Sequence, residues 1–316
     1  MTHPHHHHDD HGHDPHQAHG HVHGPSHYGQ VFAWGVALNL SFVVVEAIFG
    51  IMGHSLALLA DAGHNLSDVL AMLMAWGATV LSRRPASLHF TYGLRSSSIL
   101  AALANAMFLL IVTGGIAWEA IQRLLHPTAV DSLVVIGVAS FGVLINTGTA
   151  LLFMAGRKGD LNIRAAFLHM ASDAVISLGV VIAGIVMLYT HWFWLDSTVS
   201  LLISVIIVIA TWGLLRESTQ LALHGVPDGI NTQKVHAYLT ALPNVIAVHD
   251  LHIWAMSTTE TALTAHLVMP SGYPGDAFLG RISDELRDHF HIGHPTLQVE
   301  TGDPAYPCAL ASGHES

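Results

Sequence analysis

Six mostly apolar runs, roughly 31–53, 56–81, 97–124, 130–156, 162–190 and 196–215, dominate this 316-residue chain. Each is near the ~20 residues that a helix needs to cross the hydrocarbon of a bilayer. Hydrocarbon offers no hydrogen bonds, so a segment buried in it must satisfy its own backbone N–H and C=O groups, which these lengths allow only as helices. The expected fold is therefore an all-α six-helix transmembrane bundle. The composition agrees: 51% of residues are hydrophobic and only 10% charged, with a mean hydropathy of +0.48. The polar, His-rich start has no basic, apolar and small-residue sequence of a secretory leader, so none is expected.

Basic residues orient the bundle. Arg83, Arg84 and Arg95 lie between the second and third runs, Arg157, Lys158 and Arg164 between the fourth and fifth, and Arg216 after the sixth, whereas the opposite side has only Arg123. Positive charge is retained on the cytoplasmic side, so both termini are expected there. The second helix then runs from the outer face inward, and the fifth runs back antiparallel to it.

Those two runs contain the same polar pattern. His64 and Asp68 in one, and His169 and Asp173 in the other, each read His-x-x-x-Asp. Residues four apart share a helix face, so each stretch points one imidazole and one carboxylate the same way. An aspartate near the bilayer centre costs about 2.5 to 3.5 kcal/mol on insertion scales, and something must offset two of them. Two carboxylates and two neutral imidazoles match a divalent cation in charge and number, and a tetrahedral N2O2 set suits zinc first. The competing explanation is a pair of interhelical hydrogen bonds, which membrane bundles also use.

Other polar residues in the runs carry weaker signals. Asp61 precedes His64 by three residues and Asp68 by seven. It reads either as an exit-path or proton-relay carboxylate or as a helix-start residue. Asn39, Asn105 and Asn146 fit bundle hydrogen bonds, while Glu46 in the first run merits a mutant. His54, His126 and His191 fall in external turns. The lone Cys308 excludes an intramolecular disulfide and a thiolate cluster, so histidine and carboxylate metal chemistry is expected.

The runs are flanked by two soluble regions. Residues 1–28 form a tail with twelve histidines before Tyr28 and almost nothing apolar to bury. It is expected to be disordered without metal and to act as a weak, multivalent metal reservoir; interleaving of the histidines argues against an expression tag. After Arg216 a hinge-like Gly225-Val226-Pro227-Asp228-Gly229 leads into helix (231–241), strand (245–256), strand (260–269), helix (274–290) and strand (295–301). This αββαβ order fits a small cytoplasmic α+β domain of ferredoxin-like type, whose modest core favours dimerisation. The domain boundaries expected are 29–218 for the bundle, 219–303 for the soluble domain and 304–316 for a C-terminal tail. His249, His266, His294 and Glu300 could converge there on a second metal, with His291 as an alternative to His294; surface histidines are the plainer reading. Alternation along the first strand puts His249 and Leu251 on one face, and Asp250 and His252 on the other.

The stretch from Gly53 to Asp68, GHSLALLADAGHNLSD, closely resembles the cation diffusion facilitator family of zinc transporters. So do Thr91 to Arg95, the His169 to Asp173 stretch, His249 to Trp254 and Thr296 to Glu300, and the likeness covers about 31–302. The resemblance implies six transmembrane helices with a cytoplasmic αββαβ domain, a homodimer, and export of zinc or a similar divalent ion in exchange for protons. It also implies a transport site at His64, Asp68, His169 and Asp173, where His rather than Asp at 64 looks like the zinc-preferring subgroup. The cytoplasmic site would map to His249, His266, Glu300 and His291 or His294. The further loop site of some members is expected to be absent, since Ser87, Phe90 and Leu94 stand at its places with only His89 nearby.

The reading is thus a proton-coupled zinc antiporter that also admits ions such as cadmium and cobalt, rather than an enzyme. A four-protein-ligand cage leaves no coordination position for a catalytic water. A membrane-embedded metal sensor or chaperone without transport is the alternative. Partners expected are metal ions, protons, lipid and a second copy of the chain. With 11 basic residues against 22 acidic ones, nucleic acid is not expected. A short chain without targeting features points to the bacterial inner membrane.

Overall fold

A computed structural model describes residues 28–82, 84–154 and 161–310. The His-rich tail over 1–27 and the expected inside-facing charges Arg83, Arg157 and Lys158 lie outside the described residues.

Six long helices form the first unit: α1 (Tyr28–Met52), α2 (Leu56–Ser82), α3 (Ser97–Leu125), α4 (Ser132–Met154), α5 (Leu161–Thr190) and α6 (Trp194–Ala222). Of these, α3 to α6 are long and apolar enough to cross a membrane on length and composition alone, while α1 offers a shorter apolar stretch, Val36–Met52. Asp61, His64, Asn65 and Asp68 lower the hydropathy of α2, so that one face of this helix needs protein rather than lipid around it. The closest pairings are α4 with α5, α3 with α6 and α1 with α2, and α2 also packs on α3 and α6. An apolar plug that includes Ala57, Leu58, Leu109, Val135, Val180 and Ile203 fills the bundle near the N-terminal end of α2.

That end of α2 is pinned by a charge from another helix. Asp196, in the first turn of α6 and 1% exposed, accepts hydrogen bonds from Ser55 Oγ (2.5 Å) and from the backbone N–H groups of Leu56 (2.7 Å) and Ala57 (3.4 Å). A helix start leaves four N–H groups without intrahelical partners, and a carboxylate there also meets the positive end of the helix dipole. The turn between α1 and α2 is closed further by Arg123, whose Nη1 donates to the His54 carbonyl at 2.6 Å.

The soluble unit comprises α7 (Thr232–Thr240), β1 (Ala247–Ala255), β2 (Thr261–Val268), α8 (Asp276–Phe290) and β3 (His294–Glu300), the expected order with ends within two residues. The sheet order is β1-β2-β3, with β1 and β2 antiparallel and β2 and β3 parallel. One face carries Ile253, Leu263, Ala265 and Leu267 against Val235 of α7 and Leu286 of α8. The boundary expected at 218/219 falls inside α6, which continues unbroken to Ala222. Leu221 packs there with Ile99 and Ala255, so the helix end, the start of α3 and the end of β1 share one small apolar contact.

Alternation fails in β1. Asp250 has φ +50 and the pairing slips between His249 and His252, a β-bulge. A bulge inserts one residue into a strand and re-aims its side chains. Leu251 consequently packs with the core, while His249, Asp250 and His252 join the polar face. The expected separation of His249 from Asp250 is therefore corrected.

Candidate metal centre

The two His-x-x-x-Asp faces meet. One ligand atom each from His64, Asp68, His169 and Asp173 lies within 4.8 Å of all the others. Asp68 Oδ2 is 3.1 Å from His169 Nε2 and 3.8 Å from His64 Nε2, and the Asp173 oxygens are 3.5 Å from His64 Nε2 and 3.7 Å from His169 Nε2. For metal–ligand bonds of roughly 2.0–2.2 Å, a regular tetrahedron has edges of roughly 3.3–3.6 Å. The four side chains thus stand close to zinc's coordination geometry. The imidazole rings are edge-to-face, 5.9 Å apart, which leaves the space between their Nε2 atoms to the carboxylates.

Two observations separate this arrangement from simple helix packing. Asp173 Oδ2, which faces the cage, is buried without a hydrogen-bond partner, whereas buried polar atoms are rarely left so unless a ligand or water completes them. The cage is also lopsided: Asp173 is 2% and His64 19% exposed, but Asp68 is 33% and His169 41% exposed. The accessible pair lies toward the C-terminal end of α2 and the N-terminal end of α5. The buried pair lies toward the apolar plug.

A second cluster forms on the outer face of the soluble domain. His249 and His266 are directly paired across β1 and β2, with their rings 5.0 Å apart. Glu300, at the end of β3, reaches His249 Nε2 at 3.1 Å and His266 Nδ1 at 2.9 Å. The fourth member is Cys308, whose Sγ is 3.5 Å from His266 Nδ1. Asp250 Oδ2, brought in by the bulge, lies 3.6 Å from His266 Nε2. At that distance it places a negative charge beside the second ring nitrogen of His266 without a hydrogen bond to it. Burial opposes charge on Glu300, but hydrogen bonds with Cys308, His249 and Gln298 outweigh it and hold the carboxyl below its ordinary range.

His294 does not join this cluster. It begins β3, six residues before Glu300, and its ring meets Tyr92 at 5.6 Å. His291 lines the hollow beside His294 and Arg95, at the same end of the sheet. The expectation of histidine and carboxylate ligands alone is corrected too, because the segment after β3 folds back. Gly302 takes φ +72, which glycine tolerates without strain. The Asp303 carbonyl and side chain then accept from Tyr306 N (3.0 Å) and Ala305 N (2.8 Å), closing a turn that returns Cys308 to the sheet. The signal in the sequence was the punctuation Gly302, Pro304 and Pro307, which marks a shaped turn rather than a loose end.

Comparison with known proteins agrees with this architecture. Residues 33–221 match the cation efflux transmembrane domain and residues 227–302 the cation efflux protein cytoplasmic domain. The chain is 36% identical to the metal cation efflux system protein CzcD of Cupriavidus metallidurans over 277 residues, 87% of this chain and 86% of that one. It is 35% identical to the zinc transporter ZitB of Escherichia coli over 292 residues, 90% and 92% of the two chains. It is 30% identical to the cadmium, cobalt and zinc/H(+)-K(+) antiporter of Bacillus subtilis over 287 residues, 89% and 92%.

Proposed function

Because the chain belongs to the cation efflux family, the cation diffusion facilitators, we propose that it is a multi-pass membrane antiporter that exports zinc from the cytoplasm in exchange for protons. It is a transporter and not an enzyme. The observation that carries the reading is the convergence of His64, Asp68, His169 and Asp173 on one point inside the bundle. Such ligands bind metal only when deprotonated, so the same four groups take either a divalent ion or protons, and exchange follows from competition. The more exposed Asp68 and His169 would receive the ion from the cytoplasmic side, while the plug around Leu58 closes the other. Opening to the far side needs the α4–α5 pair to rock against α1, α2, α3 and α6, a motion of the rigid-body kind that secondary transporters use.

His249, His266, Glu300 and Cys308 fit a regulatory zinc ion held by the cytoplasmic domain, since two imidazoles, a carboxylate and a thiolate are a tetrahedral set that zinc accepts. The matched cytoplasmic domain and the small core of this unit support a homodimer. Bacterial relatives support a bacterial inner membrane, and the basic residues between the helices support both termini inside. Cadmium and cobalt would be secondary substrates.

Radiolabelled zinc flux in proteoliposomes under an imposed pH gradient tests the proposal. The wild type should move zinc, with Asp68→Ala and Asp173→Ala each reduced to background. Flux at the wild-type rate in both variants refutes the cage. Tight zinc binding without any flux in the wild type favours a sensor instead.

A further inference from the structure

One group of buried titratable side chains remains outside the cage. Glu46 of α1 is fully buried and Asp61 of α2 is 2% exposed, although both lie in the stretch that matches the cation efflux transmembrane domain. Asp61 lies one turn before Asn65 on the face of α2 that meets Glu46 of α1. Asn65 Nδ2 donates to Glu46 Oε2 at 2.9 Å, and Ser177 Oγ from α5 donates to Asp61 Oδ2 at 3.2 Å. Glu46 Oε1 is buried with no donor at all. Among the described residues neither carboxylate is ion-paired with a lysine or arginine.

Two carboxylates cannot both stay ionised, dry and adjacent. Desolvation and mutual repulsion act together, and the usual outcome is one shared proton. That proton supplies what the geometry lacks, a donor for the buried Glu46 Oε1. The surroundings also place the pair. Glu46 is faced by Asp61 and Asn65 of α2 and, at longer range, by Asp173 of α5, while Asp61 is also faced by His64, the one basic group near the pair among the described residues, and by Asp173. Asp61 lies three residues before His64 toward the apolar plug, so the pair flanks the cage on the side opposite the exposed Asp68 and His169.

We propose that Glu46 and Asp61 form a second cation station that holds one proton in the metal-free protein and gives it up when a divalent ion enters the neighbouring cage. The station deepens the antiport reading and rests on it for the coupling. An incoming doubly charged ion repels the proton, and the carboxylate pair left behind stabilises the ion from its buried side. When the ion leaves, the pair takes a proton back. No bond other than O–H changes, and the proton passes to and from water.

Infrared difference spectroscopy on the purified full-length protein tests the station directly. A protonated carboxyl has a carbonyl stretch that a carboxylate lacks. The metal-free wild type should show such a band, shifted in deuterium oxide and abolished by added zinc. Glu46→Gln, which preserves shape and the contact with Asn65, should lose it. The protons released per zinc bound, read by calorimetry in buffers of different ionisation enthalpy, should fall by one in this variant. A wild type without the band, a band insensitive to zinc, or a band of full size in Glu46→Gln overturns the proposal. So does a second zinc ion per chain that disappears in Glu46→Gln, because the station would then hold metal. The metal-free band does not require the cage to bind anything, so its absence and a dead flux assay are separable results. Should Glu46→Gln fail to fold, the wild-type band and its response to zinc still decide.

Discussion

At the cage, burial divides two aspartates of identical chemistry. Asp173 is enclosed and Asp68 is one-third exposed, so a neutral replacement at 173 forfeits interactions that water cannot restore, whereas at 68 solvent can step in. Zinc affinity in Asp173→Asn is expected to fall at least tenfold further than in Asp68→Asn, about 1.4 kcal/mol more, as isothermal titration would show. His64→Asp replaces a borderline nitrogen with a third carboxylate and should relax discrimination between zinc and cadmium. Competition between the two ions for transport would reveal it, and unchanged selectivity would count against His64 as a ligand. At the cytoplasmic cluster, cobalt offers a spectroscopic reporter. Thiolate-to-cobalt charge transfer is expected in the wild type and should vanish in Cys308→Ser, while the sulfur-free cage contributes none.

Glu300 adds a pH dependence with a definite sign. Its folded-state pKa is depressed, so its stabilising contribution is complete above the ordinary carboxylate range and is lost as pH falls through the lowered value. Acid should therefore weaken the metal-free cytoplasmic domain, and Glu300→Gln should flatten that part of the profile in melting experiments at different pH.

Among the elements, α2 has the most demanding position. It carries two of the four ligands and Asp61, its N-terminal end is capped from α6, and its flanks are covered by α1, α3 and α6. Caps typically contribute ~0.5–2 kcal/mol, and here the N–H groups are buried, so an empty cap also leaves them unsatisfied. Asp196→Ala should cost about 2 kcal/mol or more, read as a lower melting point in detergent, with Asp196→Asn milder because one acceptor oxygen survives. In the sheet, the bulge at Asp250 plays the corresponding part. One inserted residue turns a strand with two histidines on opposite expectations into one that presents His249, Asp250 and His252 together.

For the whole molecule, the two units are joined where the start of α3 meets the β1–β2 turn. Arg95 Nη1 pairs with Glu260 Oε2 at 2.9 Å, Ser96 Oγ donates to the Met256 carbonyl at 3.2 Å, and Thr258 N donates to Ser98 Oγ at 3.1 Å. The ion pair is exposed, which limits it to about 1 kcal/mol or less. Arg95→Ala should lower stability by no more than that, and exchanging the two charges should restore it in a double-mutant cycle. A larger loss would mean that the charge pair, rather than the serine contacts and Leu221, holds the units together.

Local covalent geometry made much of this legible in the residues alone. A twenty-residue apolar run can only be a helix in hydrocarbon, a spacing of four puts His64 with Asp68 and His169 with Asp173, and the αββαβ order follows from patterns a few residues long. Encounters between distant segments had no such local rule. Asp196 meets Leu56 across 140 residues, Glu46 finds Asp61 on the next helix, and Cys308 rather than His294 reaches Glu300, because packing and chain reversal decide which side chains are neighbours. Periodicity gives a residue its face; only the tertiary structure gives that face its partner.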